Sequence, residues 1–159
     1  MVLSIRNNSY SLLYQLLSEE KNVGLLRLVK REKPDIKDLV KKIGDTSRAD
    51  AKLLEKLAAE DPTLNLHETR LPPGEVATRA AIASTKEKDL LSEKGDKLDL
   101  TLLITQFEAL NYGWHLARVA GDYESQPNRA RVLEAISDDL ENLNRQLFAL
   151  VLSKISSRP

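Results

Sequence analysis

The chain has 159 residues, a length that suggests one domain. Lys and Arg together number 24, as do Asp and Glu, so the formal net charge is zero, whereas a nucleic-acid binder is usually basic overall. Cys is absent, which excludes disulfides, thiolate zinc sites, iron–sulfur clusters and a Cys nucleophile.

Apolar residues make up 42 % of the chain and charged residues 30 %, a globular balance rather than a disordered one. Only 4 % are aromatic, and cores so rich in Leu and Ala are built from helices more often than from sandwiches. No apolar run approaches the roughly 18 residues that a membrane span needs, so no integral membrane segment is expected. The stretch after Arg6, SYSLLYQLL, is short, broken by Ser and Gln and followed by charges. It reads as mature protein rather than a signal peptide. The compartment stays open: cytoplasmic by default, periplasmic if an export signal has been removed.

The first predicted helix runs from about Ser9 to Lys30, capped by Asn8 or Ser9. Leu13, Leu16, Leu17, Leu25, Leu28 and Val29 give it an apolar side, and Gly24 invites a bend. Pro34 opens the second helix, about 34–60, along which Ile36, Val40, Ile43, Ser47, Asp50, Leu54 and Leu57 trace one line. Its centre is small and polar where its ends are large and apolar. Close helix packing explains that pattern, and a polar pocket inside the bundle is the sharper alternative. Asp61-Pro62 ends the helix, because the residue before Pro disfavours helical dihedrals.

After an irregular stretch at 62–72, Pro73-Gly74-Glu75 starts a third helix, about 73–93. Its apolar face of Val76, Ala80, Ala83 and Leu90 or Leu91 is narrow, which places it at an edge. Gly95 reads as a stop, with Asp96 or Asp99 capping a fourth helix at about 97–122. This fourth helix organises the chain. Leu103, Phe107, Leu110, Trp114 and Ala117 form an apolar stripe about four turns long that needs partner helices to cover it. The last helix, about 127–153, repeats Leu133, Ile136, Leu140, Leu143, Leu147 and Leu150 at threes and fours, with Asp138, Asp139, Glu141 and Arg145 on the wet side. The expectation is an all-α protein of one domain, residues 1–159: an antiparallel four-helix bundle of ferritin-like type with an additional N-terminal helix.

The segments IKDLVKKIGDTSRADAKLLEKLA (Ile36–Ala58) and LLSEKGDKLDLTLLITQFEAL (Leu90–Leu110), followed by the closing helix, resemble the ferritin-like helical bundles of the uncharacterised bacterial DUF4142 type. Leu54 to Ala58 matches a Leu-x-x-Leu-Ala ending of that family. Gly95 to Asp99 matches its Gly-x-x-Phe-Asp helix start, with Leu98 in place of Phe. The resemblance implies the architecture. The family often carries an Asp-His pair where this chain has Thr46 and Ser47, and a His near the position of Leu110. No functional residue carries over through them, and a fold alone does not supply a function.

The chemistry of sites adds mostly exclusions. A di-iron carboxylate bundle needs Glu-x-x-His on two helices, but Tyr112 stands three residues before His115 and Leu64 three before His67. A site made only of carboxylates, drawing on Asp50, Glu75, Glu108 and Glu134, is the alternative reading, a degenerate ferritin-like metal-binding protein. No cofactor and no particular metal ligand is expected. No His is placed by sequence to activate Ser47, Ser84 or Thr85, so no catalytic residue is expected. The basic runs Arg27–Lys33 and Lys37–Lys42 have acidic residues mixed in and no interleaved aromatics, and they read as solvated faces rather than a nucleic-acid surface. His115 reads as a rim residue bonded to backbone or water, with a ligand or proton carrier as the functional alternative.

Gln106, Asn111, Tyr112 and His115 gather on one flank of the central helix and, with Ser47 and Asp50, form the candidate polar pocket or interface. Tyr112 and Trp114 near a helix surface suit a protein–protein contact. The side of the first helix bearing Leu12, Leu13, Leu16 and Leu17 offers more apolar surface than one bundle covers, so a homodimer is expected. The sequence thus points to a non-enzymatic bundle that is structural, binds an unknown protein or binds a small ligand.

Overall fold

A computed structural model describes residues 2–23 and 33–157, with side chains from Ser4 to Asn22 and from Lys33 onward. Five helices make up the fold, α1 (Val2–Val23), α2 (Pro34–Glu60), α3 (Pro73–Ser92), α4 (Gly95–Asp122) and α5 (Pro127–Ser156), with no strand among the described residues. No described helix is long and apolar enough to cross a membrane.

Three helices open on Pro at their first turn (α2, α3 and α5), where the missing N–H has no intrahelical partner to lose. Each preceding residue, Lys33, Pro72 and Gln126, is extended, as the residue before Pro must be. Asp61, ahead of Pro62, is extended as well and closes α2.

The start of α1 differs from expectation. The helix begins at Val2, not at Ser9, and Asn8 and Ser9 lie inside it rather than at a cap. Tertiary bonds override the local cap signal: Arg6 and Asn7 are tied to the segment after α2, Arg6 Nη2 to Thr63 Oγ1 at 2.8 Å and Asn7 Nδ2 to the Thr63 carbonyl at 2.9 Å. Leu25, Leu28, Val29, the Gly24 bend and most of the Arg27–Lys33 run lie outside the described residues. In the second basic run, Lys37, Lys41 and Lys42 are exposed.

The apolar line of α2 is buried from Ile36 to Leu57, Ser47 and Asp50 included. That of α5 is buried from Leu133 to Leu147. The stripe on α4 is rotated from its expected position. Leu103, Leu110 and Ala117 are buried, but Phe107 and Trp114 are only half-buried, and the centre of the inner face passes through Gln106 and Gly113. The reason is close approach. A Cβ on Gly113 would stand 2.8 Å from Leu16 Cδ2 and 3.1 Å from Leu140 Cδ1, so α1 and α5 press on α4 where it lacks a side chain. Gly95 is not a helix stop but the first residue of α4. Its φ of +61°, a value that favours glycine, makes the reversal from α3.

The buried residues of α1, α2, α4 and α5, with Leu64 and Leu66 of the α2–α3 connection, form one hydrophobic cluster. α4 packs most extensively on α5. α1 packs on both α2 and α4, and α2 meets α5 across the thinnest of these four seams. Polar links mark the alignment: Arg6 to Asp61 and Tyr14 to Glu55 between α1 and the α2 side, Gln106 to Glu20 between α4 and α1, and Lys154 to Asp35 between α5 and α2. The helix outside the core is α3, not α1. It buries no residue and, among the described residues, packs chiefly on α4, with the links Arg79–Tyr112 and Lys86–Glu108 and with half-buried Leu90 against the core.

Candidate functional site

The six residues singled out from sequence fall into three environments. Ser47 and Asp50 lie on the inner face of α2, 1 % and 3 % exposed. Gln106 is buried on α4 and donates from Nε2 to Glu20 Oε2 of α1 at 2.6 Å. Asn111, Tyr112 and His115 lie on the outer side of α4. The Tyr112 hydroxyl accepts from Arg79 of α3 at 2.9 Å, and the Arg79 guanidinium sits 5.2 Å from the Tyr112 ring centre, a cation–π distance. His115 is exposed, stacks on Trp114 and, with its hydrogen on Nδ1, donates to the Asn111 carbonyl one turn back. Ser47 and Asp50 thus share the inner face of α2, Gln106 is tied to α1, and Asn111, Tyr112 and His115 make their bonds on the outer side of α4.

The carboxylates considered for a metal are also dispersed. Glu75 pairs with Arg79, Glu108 pairs with Lys86, and Asp50 is buried in α2. Among the described residues, no three His, Asp or Glu side chains converge in a way that could hold a metal ion. His67 is exposed in the 61–72 segment, edge-on to the Tyr14 ring at 5.4 Å.

Three features were not anticipated from the sequence. At one end of the core, Glu124, its side chain fully buried, accepts from the Tyr10 hydroxyl (2.7 Å), from Arg129 Nη2 (3.1 Å) and from the Gln126 backbone N–H (2.9 Å). Asp61 joins them, 3.1 Å from Arg6 and 3.3 Å from Arg129. Burial pushes Glu124 up, but the bonds from Arg129, Gln126 and Tyr10 outweigh it and hold its carboxyl below the usual Glu range. Bonding to Thr63 and the charges of Arg6 and Arg129 likewise hold Asp61 low against a smaller effect of burial. Burial, then the bond to Glu124, raises the Tyr10 phenol. Five side chains from α1, α5 and two connections thus form one fastened charge network.

Beside this network lies a cleft of about 280 Å³ between α1 and the α2–α3 connection, walled by polar side chains that include Asn7, Asn8, Ser11, Thr63, Asn65 and Arg70. Its floor is held in place. Ser11 Oγ lies 2.7 Å from the Asn65 carbonyl, and Asp61 and Asn65 accept from the backbone N–H groups of Thr63 and His67.

The third feature is apolar. Leu100 and Ile104 on α4 and Phe148, Leu152 and Ile155 on α5 are 53 %, 49 %, 51 %, 48 % and 65 % exposed. Half-buried Phe107 joins the two rows, its ring 6.1 Å from that of Phe148. Asn144 Nδ2 bonds the Phe107 carbonyl, fixing the register that sets the start of α4 beside the end of α5. These side chains line the outer edge of the α4–α5 seam as one patch. Five large side chains open by half amount to a few hundred Å², the size at which apolar patches mark contact sites.

No protein family model, no curated protein and no solved structure matches this chain.

Proposed function

We propose that this chain is a non-enzymatic interaction protein that acts through the α4–α5 face, first of all by pairing with a second copy of itself. The observation that carries the reading is the exposed patch of Leu100, Ile104, Phe148, Leu152 and Ile155. Two such patches face to face, with their margins, reach the roughly 1,000 Å² at which a specific interface becomes stable. A twofold axis through the patch sets it against its own copy, and twofold pairing is the commonest way soluble chains associate.

We read the scaffold as an antiparallel four-helix bundle of α1, α2, α4 and α5 in the ferritin-like manner, with α3 as the added helix. The links from Arg6 to Asp61 and from Lys154 to Asp35 support this reading, each joining opposite ends of neighbouring helices. The resemblance to the DUF4142 type belongs with it, as a reading of helix order.

Sedimentation of the purified protein across the micromolar range tests the proposal. A dimer is expected for the natural chain. The variant carrying Ile104→Glu and Phe148→Glu is expected to be monomeric, with its helix content kept and little change in Tm, because both side chains are half exposed. A natural chain that stays monomeric throughout would overturn it.

The cleft beside Asn8 favours a second reading, binding of a small neutral polar ligand. Its walls are polar and its floor is pre-organised, and a rigid site loses little on binding.

A further inference from the structure

Asp50 sits in the middle of α2 on the line of Ile43, Leu54 and Leu57, and its Oδ2 has no hydrogen-bond partner. Ser47 Oγ, one turn earlier on the same face, has none either. Buried polar atoms are nearly always bonded, and each exception asks for a reason. Here two exceptions lie three residues apart on the inner face of α2, and Asp139 of α5, across the thinnest seam of the core, acts on one of them, Asp50.

The groups around the seam are specific. On α5, Asp139 is exposed to solvent, and its negative charge reaches Asp50. Lys42–Gln146 (3.1 Å), Asp35–Lys154 (3.0 Å) and Asp61–Arg129 (3.3 Å) fasten α2 to α5 on either side of that position. On α1, Tyr14 is bonded to Glu55 and Arg6 to Asp61, and the Glu20 carbonyl lies against Gly44 of α2. On α2 itself, Lys41 and Arg48 both pair with Asp45. Burial, and after it the charge of Asp139, pushes the Asp50 carboxyl up to about 7. Among the described residues, no cation counters them.

We propose that the α2–α5 seam is a proton-controlled latch, closed while Asp50 is neutral and opening around Asp50 and Asp139 once Asp50 ionises. An ionised Asp50 has no donor and faces a second carboxylate. Water reaches it most readily where the fewest packing contacts must break, and that is this seam. Ser47 Oγ, unpaired when closed, gains water at the same step.

The sign follows from linkage. With the open form carrying Asp50 at its ordinary value near 3.8 and the closed form near 7, protons favour the closed form. Between those values the opening equilibrium rises about tenfold per pH unit, and it levels off above. The latch lies on a different seam from the apolar patch, so it stands or falls separately from the pairing proposed above.

Amide hydrogen exchange from pH 5 to pH 8, corrected for the intrinsic pH dependence, tests it. In the natural chain, exchange over 46–54 of α2 is expected to rise by about ten times per unit and to level near pH 7. In Asp50→Asn, which keeps the shape and removes the charge, the profile is expected to be flat. In Asp139→Asn, which lowers the Asp50 value, the levelling is expected at a lower pH. A flat profile in the natural chain, or an unchanged rise in Asp50→Asn, would overturn the proposal.

Discussion

Glu124 is the residue on which the arrangement at one end of the core turns. It accepts from Arg129, Tyr10 and the Gln126 backbone and lies 3.7 Å from Arg6, so its removal leaves two arginines with Asp61 as their one remaining counter-charge in the network. Breaking a buried charge pair from one side costs about 3–5 kcal/mol. Glu124→Ala is therefore expected to lower Tm by on the order of 10 °C in a chain of this length, read by thermal denaturation. Tyr10→Phe removes one hydrogen bond and no charge, and is expected to cost about 1 kcal/mol. The pH dependence has two limbs. Glu124 and Asp61 are held below their ordinary values, so their stabilisation is present above those values and is lost as pH falls through the folded ones. Asp50 is raised, so its contribution is greatest in acid and is lost as pH rises towards about 7. Denaturant unfolding as a function of pH is expected to show a maximum between roughly pH 4 and 6. A plateau extending through pH 8 would contradict the environment assigned to Asp50. Of these residues, Ser47 and Asp50 were legible in sequence because they interrupt an otherwise apolar line. Glu124, Asp61, Arg6, Arg129 and Tyr10 were not, because they come from segments far apart in the chain and each looks like an ordinary surface residue in its own window.

At the scale of elements, the three-and-four spacing of apolar residues was enough to read α2 and α5, whose inner faces are large and continuous. It misled on α4. Phe107 and Trp114 carry the greatest apolar weight, yet the core runs through Gln106 and Gly113, because helices that approach closely want a small residue between them. Sequence misled again at the start of α1, where Asn8 and Ser9 look like a cap but lie inside a helix whose preceding residues, Arg6 and Asn7, bond Thr63. The edge position expected of α3 is what the structure shows, without a single buried residue. The helix is held by Arg79–Tyr112, by Lys86–Glu108 and by the packing of half-buried Leu90 at its C-terminal end. Its amides are accordingly expected to exchange first, well before those of α4 and α5, and Arg79→Ala is expected to accelerate them without changing global stability by more than about 1 kcal/mol. Equal protection of α3 and α5 would show that α3 is anchored by something more.

At the scale of the whole molecule, the surplus of apolar surface lies elsewhere than the sequence suggested. On α1, Leu13 and Leu17 are fully buried and Leu12 and Leu16 half-buried, so that helix is largely covered by its own neighbours. Leu100, Ile104, Phe148, Leu152 and Ile155 face water along α4 and α5, while Val76, Ile82 and Leu91 are the comparably exposed side chains of the edge helix α3. A zero net charge leaves no long-range repulsion between copies to oppose association through the α4–α5 face. The direct measurement is hydrogen exchange at low and high micromolar protein, compared peptide by peptide. The expected result is concentration-dependent protection confined to residues 100–107 and 148–155, absent in the variant with Ile104→Glu and Phe148→Glu. Exchange that does not change with concentration, or protection appearing along α1 and α2 instead, would contradict an interaction face on α4 and α5.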